Sequence, residues 1–250
     1  MPRANRSLVP GRCYHLTHRC VDRAFLLRFA RDRNAYRERL RIVSREEGVP
    51  LLSYTITGNH VHLVTFVEDP EQTSRMVQRV AGPHAQTYNL RKERTGAFWE
   101  DRFHATAVDT GEHLWRCLLY IDLNMVRAGV VSHPGEWPWT AYHELTGSRS
   151  RYRLLDLERL VDLLGRGVSI ESLADTYRDA IHAAVPVCGS RDPVWTDAFA
   201  VGGREFVEAC ARGARNRMVW EFQEGPDGWM VRESPPAYRL DSVSGGKNLA

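Results

Sequence analysis

Apolar and polar positions alternate from Gly11 to Cys20, a period of two that predicts a β-strand. Asp32 to Glu47 instead carries the pattern of a charged amphipathic helix, ended by Gly48. Leu51 to Thr57 is a second strand, Gly58-Asn59 a turn signal, and His60 to Val67 the returning strand of a hairpin. Asp69-Pro70 opens a long helix to about Arg91, with a kink predicted at Gly82-Pro83. A fourth short strand follows from His104 to Asp109, and then a helix from Gly111 to about Val130. Strand, helix, strand, strand, helix, strand is the ferredoxin-like split β-α-β order, followed here by one more helix. The expectation is an α+β fold over residues 10–145, an antiparallel sheet with helices on one face.

The composition changes after Gly147. Leu154 to Leu164, Ser169 to Ala184 and Gly203 to Arg215 are three helical patterns separated by Gly, Pro and Ser, which predict a C-terminal helical accessory region over 150–222. The chemistry of this region is not legible in its residues. Over 223–250 Pro, Ser, Gly and polar residues dominate, and a disordered tail is expected. There is no internal repeat, P-loop or GxGxxG.

With 250 residues and 43% hydrophobic composition the chain can bury one sizeable core and a small second module. No stretch approaches the roughly 18 apolar residues of a membrane helix, and Met1 to Pro10 lacks the apolar centre of a secretory signal. A cytoplasmic protein without membrane contact is expected. The five cysteines are scattered and form no C-x-x-C pair, which suits reduced thiols. Charge is uneven: residues 1–50 hold twelve arginines against five acids, about +7, so that the remainder carries about −4 of the net +3. Arginine in place of lysine suits bidentate phosphate contacts, and a high-GC genome would produce the same bias.

His60 and His62 stand at period two on a strand, so both side chains share a face and can grip one divalent metal. On the helix after Gly111, Leu114, Cys117, Leu118, Ile121 and Met125 fall on one face at about 100° per residue, whereas Arg116, Tyr120, Asn124 and Arg127 form a separate stripe. Tyr120 and Asn124, four apart, project together, so a metal on Asn124 would be close to the Tyr120 hydroxyl. Each feature has a plainer reading. His-x-His on a strand is more often packing, Tyr120 a half-buried helix aromatic, and Asn124 a loop brace. Tyr54, Tyr88 and Tyr142 compete as nucleophiles, and His104 and His113 read as structural. Trp99 and Phe103 with Arg102 either stack bases or fill the core.

Taken together, Gly58-Asn59-His60-Val61-His62-Leu63-Val64, Phe98-Trp99-Glu100-Asp101-Arg102-Phe103, the run Tyr120 to Gly129 and Trp137-Pro138-Trp139 resemble the HUH-type single-tyrosine transposases, most of all their REP-associated branch. The resemblance spans residues 10–145. It implies that His60 and His62 are metal ligands, that Tyr120 is the nucleophile, and that Asn124 completes a Mg²⁺ or Mn²⁺ site. It further implies single-stranded or hairpin DNA as partner, a 5′-phosphotyrosine intermediate in nicking and strand transfer, association with the nucleoid when on DNA, and a homodimer in which the tyrosine can come from either subunit. Arg12, Arg19, Arg102 and Arg127 are candidate DNA contacts. Gly58 and Met125 stand where the family commonly has proline, which predicts altered local rigidity and unchanged chemistry. A domesticated DNA-binding protein without turnover and a metal-dependent hydrolase are the alternatives.

Overall fold

A computed structural model describes residues 8–165, 167–189, 192–214 and 219–234. Strand β1 (Arg12–Arg19) leads to helix α1 (Ala30–Glu46), the hairpin β2 (Leu51–Ile56) and β3 (His60–Val67), helix α2 (Pro70–Arg91), strand β4 (His104–Val108) and helix α3 (Glu112–Asp122). The first four strands lie in the order β2-β3-β1-β4 with every pairing antiparallel, as the split β-α-β reading requires. The hairpin turns where Gly58-Asn59 predicts it, with Thr57 N–H donating to the His60 carbonyl at 2.9 Å. Helix α2 starts on the Asp69 side chain, which accepts from Glu71 and Gln72 amides, and runs on through Pro83 as a single element.

The sheet is covered on both faces, not one. Tyr36 of α1 meets His84 of α2 edge to face on one side. Alternation along β1 turns His15 and Thr17 to the other side, and there the Thr55 hydroxyl of β2 donates to the Ile121 carbonyl of α3 at 3.2 Å. All six positions of β2 are buried, so neither face could stay wet without losing apolar burial. The stripe Leu114, Cys117, Leu118 and Ile121 is fully buried against this second face.

The helix expected to continue to Val130 stops at Asp122. Leu123 takes φ −77° and ψ 0°, and the chain restarts as a single turn, α4 (Asn124–Arg127), before Gly129 at φ 64° ends it. Asn124 is therefore the first residue of a new turn.

The C-terminal third is no appendage. After α5 (Tyr142–Leu145), α6 (Leu157–Leu164), α7 (Ile170–Ala184) and α8 (Val194–Asp197), strand β5 (Ala200–Gly202) pairs in parallel with β4. Helix α9 (Arg204–Gly213) and the hairpin β6 (Trp220–Gly225) and β7 (Gly228–Glu233) follow, giving seven strands among the described residues in the order β2-β3-β1-β4-β5-β7-β6. One apolar core runs from Leu16 and Val61 through Leu118 to Leu160, Tyr177, Trp195 and Val231. The sequence reading put disorder from residue 223, but residues 223–233 lie in this hairpin; the remainder, 235–250, falls outside the described residues. Gly225-Pro226-Asp227-Gly228 is a hairpin turn, and a Cβ at Gly228, which has φ 102°, would come within 2.5 Å of His113 Nε2. The glycine read as a sign of disorder is required by a close approach. No described helix is long and apolar enough to cross a membrane, and the five cysteines are free thiols, four of them buried.

Candidate active site

Strand β3 and the break between α3 and α4 build a cavity of about 270 Å³, lined by His60, His62, Tyr120, Asn124, Arg19 and Arg127, with Arg23, Thr17 and Thr196 at its walls. The register supplies part of this set. Thr17 stands opposite His62 and Arg19 opposite His60, so β1 and β3 point four polar side chains into one space.

His62 is held from behind. Its Nδ1 lies 2.8 Å from His15 Nε2, and His15 Nδ1 lies 2.7 Å from the Trp195 carbonyl of α8. Burial first, helped by His104, lowers the His15 pKa to about 4. Burial, then the charges of His60 and His15, lowers that of His62 well below its ordinary value. Both rings are therefore neutral near pH 7. A carbonyl only accepts, so His15 Nδ1 must donate to it; His15 Nε2 then accepts from His62 Nδ1, and His62 Nε2 is left as the lone-pair atom. Asn124 Nδ2 donates to that Nε2 at 3.1 Å.

His60 is oriented in the same way by its own turn. Its Nδ1 lies 2.7 Å from Asn59 Oδ1 and 2.9 Å from the Thr57 hydroxyl. Two imidazoles fixed through their Nδ1 atoms, with an amide beside them, form a donor set that would fit a divalent ion if the amide turned its oxygen inward. Among the described residues no group of three His, Cys, Asp or Glu is placed to hold a metal. Such an ion would thus rely on His60, His62, Asn124 Oδ1 and oxygens from phosphate or water, which suits a hard ion that also binds substrate.

Tyr120 is only 7% exposed yet lines the cavity. Its ring centroid lies 6.4 Å from those of His15 and His62 and 6.1 Å from that of Trp195. The Arg127 guanidinium sits 4.0 Å from the ring centroid and donates to the Tyr120 carbonyl at 2.5 Å.

The other candidates separate cleanly. Arg19 and Arg127 are at the cavity. Arg12 is at the far end of β1, bonded to Cys210 Sγ at 2.6 Å and lying over the Phe206 ring. Arg102 is exposed and does not line the cavity. Tyr54 is closed off by Glu144, Arg37 and Arg149, and Tyr142 packs on His133 and Tyr177. Trp99 stacks on His18 and donates to the Ala81 carbonyl, and Phe103 is buried, so both belong to packing. Sequence reasoning missed His15, Arg23 and Trp195. His15 shares the parity of Thr17 and Arg19 on β1, a signal that means something only once β1 is known to lie beside β3. For Trp195 no local signal exists.

Residues 9–123 match the family model described as transposase IS200-like. This segment is similar to the IS200-like transposases. Among solved structures, the chain is similar to a REP-associated tyrosine transposase bound to a REP hairpin, at 19% identity over 59% of this chain and 86% of that one, with a TM-score of 0.48. It is also similar to a candidate transposase from Deinococcus radiodurans R1, at 17% identity over 43% of this chain and 86% of that one, with a TM-score of 0.34. No curated protein matches it. The matched segment includes His15, His60, His62 and Tyr120 but ends one residue before Asn124; Arg127 and Trp195 also lie outside it.

Proposed function

We propose that the protein nicks and rejoins single-stranded DNA through a 5′-phosphotyrosine intermediate, as a transposase of the REP-associated kind acting on hairpin-bearing DNA. The observation that carries this reading is the convergence of Tyr120, His60, His62 and Asn124 on one cavity beside two arginines. A phenol has an ordinary pKa near 10 and is a weak nucleophile until the phosphate it attacks is polarised. His60, His62 and Asn124 would hold Mg²⁺ or Mn²⁺, which when bound supplies Lewis-acid polarisation of the phosphate oxygens.

The chain's own residues do the rest. Tyr120 Oη forms a bond to phosphorus while the bond from phosphorus to the 3′ oxygen of the leaving strand breaks. The phenol loses a proton and the 3′ oxygen gains one, so the step leaves a phosphotyrosine and a free 3′-hydroxyl. Arg127, over the Tyr120 ring, and Arg19 carry permanent positive charge where a phosphate enters and where negative charge develops. The phosphodiester energy is kept in the covalent link, so another 3′-hydroxyl can reverse the step without ATP.

Incubation with labelled single-stranded hairpin DNA and Mn²⁺ or Mg²⁺, followed by a denaturing gel, tests this. A metal-dependent adduct that disappears in Tyr120→Phe is expected. Cleavage with no adduct would instead make water the nucleophile, and an adduct that survives Tyr120→Phe would move the role to another residue.

A further inference from the structure

Beside the cavity, residues 20–29 form a turn that the reaction chemistry leaves unused. Asp22 and Arg23 stand one after the other at φ 51° and 54°, the left-handed region that residues with a side chain rarely enter, and such strain survives only where surrounding contacts impose it. Those contacts are present. Cys20 N–H donates to the Asn59 carbonyl at 2.8 Å, Asn59 Nδ2 to the Arg23 carbonyl at 3.0 Å, and Leu27 N–H to the Gly58 carbonyl at 2.9 Å. From the other side Arg33, stacked on Trp139 at 3.8 Å and Trp137 at 4.6 Å, donates to the carbonyls of Leu27 and Arg28. The turn is tied to the same β2–β3 hairpin that carries His60.

What this tied turn displays is apolar. Leu27 is fully buried, while Phe25 is 67% and Phe29 55% exposed. Phe25 lies against Gly58 so closely that a Cβ there would come within 2.8 Å of its ring. Arg23 lines the cavity. The Arg28 guanidinium lies 5.8 Å and the Lys92 ammonium 5.4 Å from the Phe29 ring centroid. Two phenyl rings in water, held on a rigid turn with three cations around them and the cavity next door, match the needs of one partner: unpaired bases for the rings and phosphates for the cations. In a duplex the base faces are already stacked on each other, so the rings would gain nothing from it.

We infer that Phe25 and Phe29 form a stacking platform for unpaired bases of the DNA strand that leads into the cavity, with Arg23, Arg28 and Lys92 along its phosphates. The inference rests on the nicking function proposed above for the neighbouring cavity. Phe25 takes the base nearer the scissile phosphate, since it adjoins the hairpin of His60, and Phe29 takes one further out.

The test is binding of a (dT)₂₀ strand and of single strands carrying 2-aminopurine, measured on full-length wild type, Phe25→Leu and Phe29→Ala. Leucine at 25 keeps an apolar cover on Gly58 while removing the aromatic face. Each variant is expected to bind roughly ten-fold more weakly, with 2-aminopurine quenching relieved and thermal stability unchanged. Wild-type affinity and quenching in both variants would overturn the platform, as would wild-type binding of duplex as tightly as single strand. The adduct assay on wild type separates the two claims. An adduct with unweakened variants keeps the phosphotyrosine step and removes the platform; weakened variants with no wild-type adduct keep the platform and remove the phosphotyrosine step.

Discussion

His15 Nε2 lies 2.8 Å from His62 Nδ1, and through this bond a side chain on β1 sets which nitrogen of the His62 ring faces the cavity. Both groups are buried, so neither can be replaced by water without cost. Partners of this kind behind a ligating histidine typically change affinity or rate by about 10- to 100-fold when removed. His15→Phe is therefore expected to slow adduct formation by roughly that factor and weaken Mn²⁺ binding measured by calorimetry, with His15→Gln, which retains an acceptor, falling in between. Nitrogen-15 shifts of His62 should show a single tautomer in wild type and a mixture in His15→Phe. Wild-type rates in His15→Phe would remove the role assigned to this bond.

Tyr120 and His62 face each other within one chain, ring centroids 6.4 Å apart. A dimer that exchanged its tyrosines would not need this proximity. Mixing Tyr120→Phe with His62→Ala protein is accordingly expected to give no adduct. Recovery toward a quarter or half of wild-type yield would show that the tyrosine acts across subunits.

His84 is 4% exposed between Tyr36 and Phe98, and its Nε2 has no hydrogen-bond partner among the described residues. Burial, with Arg39 and Arg91 nearby, lowers its pKa to about 4 from 6.5. The unfolded chain therefore binds a proton between these values that the folded chain refuses. Its contribution to stability is complete above about pH 6.5 and is lost as pH falls toward 4, a change on the order of 3 kcal/mol. Urea unfolding across that range should show a shallower acid loss in His84→Leu than in wild type; identical slopes would contradict the neutral buried ring.

Asp122 and Tyr177 join the first 123 residues to the C-terminal third, the phenol donating to Asp122 Oδ2 at 2.7 Å in a fully buried setting. Burial raises the Asp122 pKa to about 6, held back by Thr140 and Tyr177. A chain ended at Gly147 loses Tyr177, loses the Trp195 carbonyl behind His15 and bares the edge of β4 that β5 covers. It is expected to show no cooperative thermal transition by circular dichroism. A sharp transition near that of the full chain would restore the boundary that composition suggested at 150.

Much of this protein could be read from local pattern. The alternation of β1 and β3, the Gly58-Asn59 turn and the caps of α2 are set by residues a few positions apart, so they were visible in the chain, as were the pairing of His60 with His62 and the apolar stripe of α3. The resemblance that singled out Tyr120 rested on the same short runs. What failed was decided at longer range. The break at Leu123 is a turn of ψ by about 40° from the helical value, with no signature in Leu123-Asn124, and the order β4-β5-β7-β6 depends on edges meeting across almost a hundred residues. The face on which α3 packs follows from both sides of the sheet being apolar, a fact about the sum of four strands and not about any one. The chain by itself determined the elements from β1 to the start of α3, a candidate metal-binding pair and, by resemblance, a nucleophile candidate, because those rest on short local runs. Only the tertiary structure decided that His15 and Trp195 stand behind His62 and that Phe25 lies against Gly58, because those contacts depend on which surfaces find each other.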